Sequence, residues 1–220
     1  MSRLVVTLAL ALAATACAPQ AEPRTVIGAG PRVVFDDDLR AARHWSAASG
    51  AICRSAYSDG GLAVENVAAS TTASCLLPPV RPEVFPARVR IEITARLRKG
   101  TRESPYGLMF ASRGGGDTRS FSTFGLTANG TYRVSSWSGG KWSYPVPPTF
   151  SPSVKTDYGA PNTLAVELRE RSVVAYINGR PVATAELPGD AGGALGLYVD
   201  QRGMEVLFSN LRVSELPALR

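Results

Sequence analysis

Between Ala87 and Gly100 the chain reads ARVRIEITARLRKG. Val89, Ile91, Ile93, Ala95 and Leu97 take every second position, and Arg88, Arg90, Glu92, Thr94, Arg96 and Arg98 stand between them. A period of two gathers the apolar side chains on one face of an extended strand. Such a strand buries that face and leaves the other wet, as in an antiparallel sheet covered on one side. The same signal recurs at short intervals between turn sequences. LAVENVA follows SDGG (Ser58 to Gly61), and YGLMFAS precedes RGGGD (Arg113 to Asp117). SVVAYI and PVATAEL flank NGR (Asn178 to Arg180), ALGLYVD follows LPGDAGG, and MEVLFSNLRV follows QRG. No stretch keeps a helical period for long; one helical turn is allowed for at Asp37 to Trp45. About a dozen strands in one domain of about 185 residues cannot form one open sheet without leaving a face unburied. The expected fold is therefore all-β, a two-sheet antiparallel β-sandwich.

The segment before the strands carries address signals. Arg3 precedes an apolar run from Leu4 to Ala13, and small residues follow. That is the pattern of a secretory signal peptide, and the run is too short to span a bilayer as an anchor. Ala14-Thr15-Ala16-Cys17 resembles the lipobox of bacterial lipoproteins, in which the cysteine is acylated and becomes the new N-terminus. Residues 1–16 are thus expected to be a lipoprotein signal, with lipid attached at Cys17. Ala14 stands where leucine is usual, and ordinary cleavage leaving a soluble secreted or periplasmic protein is the alternative. Residues 17–32 are rich in Pro, Ala and Gly and read as a flexible tether to a domain over 33–216.

The chain has three cysteines. An odd count is unusual in an exported protein, and acylation of Cys17 would leave Cys53 and Cys75 as an even pair. In an oxidising compartment these two are expected to form a disulfide, worth roughly 3 kcal/mol through restriction of the unfolded chain. Two buried free thiols are the alternative.

The stretch GTYRVSSWSGGKW, Gly130 to Trp142, holds two of the three tryptophans. It continues a hairpin that begins at FGLTAN. A two-residue turn at Asn129-Gly130 would pair Leu126 with Arg133 and mix apolar and polar residues on both faces. A three-residue loop with Gly130 in the left-handed region pairs Leu126 with Tyr132 and Phe124 with Val134, giving one apolar face. Burial selects the second register. It places Thr123, Gly125, Arg133, Ser135 and Trp137 together on the polar face. Trp142 joins Trp137 if Gly139-Gly140 is a two-residue turn, and turns into the core if the loop has three residues. An aromatic ring on such a face can stack on a sugar's C–H surface while Arg and Ser bond its hydroxyls. Trp137, Arg133, Ser135 and Trp142 are therefore the ligand-binding candidates. The alternative is that Trp137 covers the sheet edge or packs under a loop such as PVPPTFSPS.

The succession YGLMF, FGLTANGTYRVSSWSGGKW, NTLAVELRERSVVAYINGRPVATAEL, GALGLYVD and VLFSNLRV resembles the concanavalin A-like lectin/glucanase jelly rolls. Among these it is most similar to bacterial exported domains grouped with 3-keto-disaccharide hydrolases and laminin-G-like modules, over Val33 to Leu216. The resemblance implies a jelly roll, a scaffold that hosts binders and enzymes alike. It also implies a possible structural Ca²⁺ between an N-terminal acidic segment and the last strand. Asp36, Asp37 and Asp38 are the candidate ligands, but Ser209 stands where the resemblance leads one to expect an aspartate. A capped turn or solvated loop is the alternative, and no cofactor is otherwise expected.

Signals for catalysis are missing. The E-x-D-x-x-E spacing that places a nucleophile and a general acid on one strand face does not occur. Glu167 and Glu170 are three apart, so an unbulged strand points them to opposite faces. His44 is the only histidine, and no nucleophile-elbow sequence accompanies it. The formal net charge is +6, with its densest run in RLRKGTR (Arg96 to Arg102), which lacks the interleaved aromatics that nucleic-acid binding uses. The expectation is an envelope-anchored lipoprotein whose non-catalytic, lectin-like domain binds carbohydrate or another envelope polymer. It touches the membrane through its lipid alone and has no nucleic-acid partner. Two alternatives remain: a glycoside-active enzyme of the 3-keto-disaccharide hydrolase type, and a structural or protein-interaction module of the envelope.

Overall fold

The alternation at Ala87 to Gly100 becomes a twelve-residue strand, Arg88–Lys99, in the middle of the larger of two antiparallel sheets. The computed structural model describes residues 31–217; the signal segment, Cys17 and the tether up to residue 30 lie outside the described residues. In chain order the strands are β1 (Val33–Asp37), β2 (Ala48–Ser49), β3 (Cys53–Ser58), β4 (Gly61–Asn66), β5 (Cys75–Leu77), β6 (Val84–Phe85), β7 (Arg88–Lys99) and β8 (Tyr106–Arg113). They continue with β9 (Ser120–Leu126), β10 (Thr131–Ser138), β11 (Lys141–Phe150), β12 (Asn162–Arg169), β13 (Ser172–Ile177), β14 (Arg180–Glu186), β15 (Gly193–Val199) and β16 (Glu205–Glu215). The larger sheet runs β14-β13-β12-β7-β16-β4-β3-β2, with β1 also paired to β16. The smaller runs β11-β10-β9-β8-β15-β5, with β6 also paired to β15. This is a two-sheet antiparallel sandwich of the jelly-roll kind.

The core lies between the sheets because the period-two faces meet there. Val89, Ile91, Ile93, Ala95 and Leu97 are buried, while Arg88, Arg96 and Arg98 are exposed. From the smaller sheet Leu108, Phe110, Phe124, Leu126, Tyr132, Val134, Leu195 and Leu197 face them. Tyr132 spans the sandwich, donating its hydroxyl to the Val182 carbonyl at 2.6 Å. Most of the charges on the outer face of the larger sheet neutralise one another. Arg90 pairs with Glu92 and Glu167, and Arg98 with Asp59 and Glu205. The basic run at Arg96 to Arg102 is thus partly absorbed into surface ion pairs and caps. Arg102, for instance, donates to the carbonyls of Ala128 and Thr156.

Two cross-links tie the sheets at one end. Cys53 of β3 and Cys75 of β5 form a disulfide with a Cα–Cα separation of 5.2 Å, joining the larger sheet to the smaller. Close by, the fully buried Asn66 at the end of β4 donates to the carbonyls of Ala73, Val199 and Asp200 and accepts from the Ala68 amide. A buried amide with its donors and acceptor all used is stabilising, and removing it would orphan carbonyls at the end of β15.

Two local expectations are corrected. Asp37 to Trp45 does not form a helical turn; Asp37 ends β1 and Leu39 to Trp45 is a succession of bends. Asp37 is buried there and accepts from the Leu39 amide and from His44, so the aspartate side chain competes with helical bonding. PVPPTF is not a loop but the second half of β11. Prolines lack the N–H that an interior strand needs, and β11 escapes that penalty because it is the edge strand of its sheet. The RGGGD segment carries a single short 3₁₀ turn, Gly116–Thr118, before β9 begins.

The disulfide closes a segment with a sequence separation of 22 residues. Replacing Cys53 and Cys75 together by Ala is expected to lower unfolding free energy by about 3 kcal/mol in denaturant titrations. Reductant added to the unmodified protein should give a similar loss. No change in either would mean that the cross-link adds nothing beyond the sheet packing.

Candidate functional site

The hairpin of β9 and β10 has the register that burial demands. Leu126 opposes Tyr132, Phe124 opposes Val134, Gly125 opposes Arg133, Thr123 opposes Ser135 and Phe121 opposes Trp137. Gly130 takes the φ of +96° that the three-residue loop requires, and a Cβ there would meet the Phe150 ring at 2.9 Å. The next turn is tight. Gly139 and Gly140 both have positive φ, so Ser138 opposes Lys141 and Trp137 opposes Trp142. The structure therefore brings all four predicted residues, Arg133, Ser135, Trp137 and Trp142, onto the outer face of the smaller sheet.

The aromatic side chains form a connected row. The Trp137 and Trp142 ring centroids are 5.3 Å apart with planes at 62°, and Trp142 meets Phe121 edge-on at 5.5 Å. Trp142 is 39% exposed and Tyr144, also on β11, 51%. Tyr144 stands beneath the Arg133 guanidinium, 6.0 Å from ring centroid to Cζ. Phe121 and Tyr144 went unnoticed in the sequence. Phe121 is legible from the register alone, whereas Tyr144 lies among the prolines that disguised β11 as a loop.

Behind the aromatics lies a polar floor. Arg133 Nη2 donates to the Tyr198 hydroxyl at 3.2 Å and reaches Asp200 Oδ2 at 3.5 Å. Tyr198 donates to Asp200 Oδ1 at 2.8 Å, and Ser74 donates to the same oxygen at 2.8 Å. Burial first, and the Asp200 carboxylate second, push the Tyr198 phenol far above its ordinary pKa, which keeps it a neutral donor. Gly125 leaves room for this network, since a Cβ there would approach Pro105 to 2.9 Å and the Tyr198 ring to 3.3 Å.

Three polar atoms in this floor lack a partner: Thr123 Oγ1, Ser135 Oγ and Arg133 Nε. Thr123 is 0% exposed and Ser135 1%, and they oppose each other across β9 and β10. A buried hydroxyl without a partner is destabilising, so three neighbours in that condition on one sheet face mark a place not built for stability alone. Ser122 and Ser136, which point the other way from the same strands, bond each other at 2.8 Å.

Asp36 and Asp37 of β1 and the adjoining Asp38 do not converge. Asp36 bonds Arg212 Nε at 3.1 Å, Asp37 bonds the Leu39 amide and His44 Nδ1, and Asp38 accepts from the Arg40 amide. A cleft of about 190 Å³ beside Asp36, Asp38 and Glu92 already has the Arg212 cation in its wall. Among the described residues no group of three or more His, Cys, Asp or Glu is placed to hold a metal ion. The residues present therefore do not fit the Ca²⁺ site that the resemblance implied. Glu167 lies on the larger sheet with Arg90 on its Oε1 at 3.1 Å, and Glu170 sits at a turn with φ +52°.

No family model and no curated protein matches the chain. Solved structures do. A carbohydrate-binding module, CBM66, from Bacillus subtilis superposes with a TM-score of 0.59 at 15% identity, over 74% of this chain and 92% of its own. A Bacillus subtilis protein of unknown function with a galectin-like fold gives 0.61 at 15% identity, over 84% and 96%. The endo-β-galactosidase of Clostridium perfringens that releases GlcNAcα1-4Gal gives 0.60 at 12% identity, over 88% and 64%. At these identities the likeness establishes the fold alone, a two-sheet jelly-roll sandwich.

Because Thr123 and Ser135 leave their hydroxyls unpaired, Thr123→Val and Ser135→Ala are each expected to hold stability or raise it by up to about 1 kcal/mol. Thermal unfolding of the two variants checks this. A clear loss of stability would show that both hydroxyls are bonded in solution.

Proposed function

We propose that the domain binds carbohydrate, without catalysis, on the outer face of its smaller sheet. The observation that carries this is an aromatic row, half-buried Trp137 with exposed Trp142 and Tyr144, set beside the Arg133 guanidinium. Sugar rings match such a face: their C–H faces stack on indole, and their hydroxyls accept from a guanidinium. The fold likeness to a carbohydrate-binding module and to a galectin-like protein supports the reading. The arrangement of Asp200 is also in keeping with a binder. Its carboxylate is held by Tyr198, Ser74 and Arg133, which suits it to orient Arg133 rather than to carry a proton.

We further propose that the chain is exported and lipid-anchored at Cys17, with residues 17–32 as the tether that holds the domain away from the membrane. In that setting the ligand is a carbohydrate or other polymer of the cell envelope. The apolar run at Leu4 to Ala13 and the A-T-A-C sequence that follows support this address.

Two experiments test these statements. On a glycan array run with and without Ca²⁺, the protein should bind a restricted set of glycans in both conditions. Trp137→Ala should weaken binding to any confirmed glycan by about tenfold or more, and unchanged affinity would remove the platform. For the address, processing in cells should be sensitive to globomycin, and Cys17→Ser should release an unlipidated protein. Normal processing in the presence of globomycin would contradict the anchor.

A further inference from the structure

The aromatic row does not end at Phe121. The guanidinium carbon of Arg119 stands 5.0 Å over the Phe121 ring, and Arg119 Nη2 reaches Met109 Sδ at 3.7 Å. Arg119 and Met109 also line a groove of about 710 Å³ between two connections, Pro78 to Val84 on one side and Gly114 to Arg119 on the other. Ala194 of β15, which opposes Ser112, also stands in its wall. The groove belongs to the same outer face as the tryptophans, because Met109 opposes Thr123 and Thr123 opposes Ser135. Platform and groove thus form one trough crossing β11, β10, β9, β8, β15 and β6, five strand spacings or about 24 Å. A single sugar ring would leave most of it empty.

The acids along the trough are each matched by a protein cation, Asp200 by Arg133 and Asp190 by Arg113, and the charge left over is positive. Arg119 is half-buried, lies against an aromatic ring and a thioether, and forms no ion pair among the described residues. Arg113 at the rim is held by Asp190 at 3.0 Å. Asp117, two residues before Arg119, is exposed and outside the groove lining, and Glu83 lines a separate cleft with His44 and Arg81. At the other end Lys141 is exposed beside Trp142. A planar guanidinium that is partly desolvated and unmatched by protein acid is suited to a bidentate carboxylate.

Resting on the carbohydrate reading above, we infer that the ligand is a polymeric glycan bearing carboxylates, laid across the strands. Arg119 takes a carboxylate while Trp137 and Trp142 stack on neighbouring rings. Arg119 is then the residue that decides specificity, selecting acidic over neutral chains, and the trough length favours oligomers over short fragments.

The test compares matched acidic and neutral polymers with the purified protein. Polygalacturonate and alginate are each titrated beside their neutral esters by calorimetry, together with galacturonate oligomers of increasing length. The acid form of at least one pair should bind about tenfold tighter than its ester or more, with a preference that shrinks as salt rises and affinity that grows with length. Arg119→Gln should erase the acid preference and keep ester binding, whereas Trp137→Ala should weaken both. Equal binding of acid and ester, or a preference that survives Arg119→Gln, overturns the inference while leaving the carbohydrate reading intact. Binding confined to neutral glycans on the array does the same. No glycan binding at all overturns both. Should Arg119→Gln fail to fold, the acid-to-ester comparison on the unmodified protein still decides.

Discussion

Leu126 opposes Tyr132 and Phe124 opposes Val134 because the space between the sheets is filled mainly by apolar side chains. Everything on the other side of β9 and β10 inherits its direction from that fact. A strand has two faces and a period of two, so a slip of one residue would send Trp137, Ser135 and Arg133 into the core and expose Val134. The free energy that places the site is therefore spent on residues that never touch a ligand. Gly130 makes the register possible, since its positive φ and its lack of a Cβ against Phe150 allow the three-residue loop.

The two ends of the sandwich are built to different purposes. Where β3, β4, β5 and β15 meet, the disulfide and the fully used Asn66 amide join the sheets, and no polar group of Asn66 is left over. On the outer face of the smaller sheet the opposite holds, with three polar atoms buried and unpartnered next to exposed indole. Rigid clamps at one place let an under-satisfied face persist at another, a common division between stability and binding.

The small sheet's edge also has two functions. β11 can hold Pro145, Pro147 and Pro148 because it has a neighbour on one side only. Those prolines blunt the edge against pairing with other chains, and the same strand carries Trp142 and Tyr144 to the candidate trough. The trough then gains its far wall from connections rather than strands. The Gly114 to Arg119 segment brings Arg119 over Phe121, and the proline-rich Pro78 to Val84 segment closes the other side.

Much of this is legible in the sequence. Period-two alternation determined the all-β class, the inward face of β7 and, with turn glycines, the β9-β10 register and the face of Trp137. Such signals are local, and burial of apolar side chains is strong enough to enforce them. Other features depend on what a segment meets. β11 looked like a loop because its prolines are tolerated only at an edge, and edge position is a property of the whole sheet. The partners of Asp36 and Asp37, Arg212 and His44, are likewise set by the tertiary structure and not by the run of three aspartates. The sequence alone determined which residues lie in and which lie out. Only the tertiary structure decided which outward residues stand together, because Arg119, Tyr144 and Tyr198 are brought onto one face by strand order, which no local period encodes.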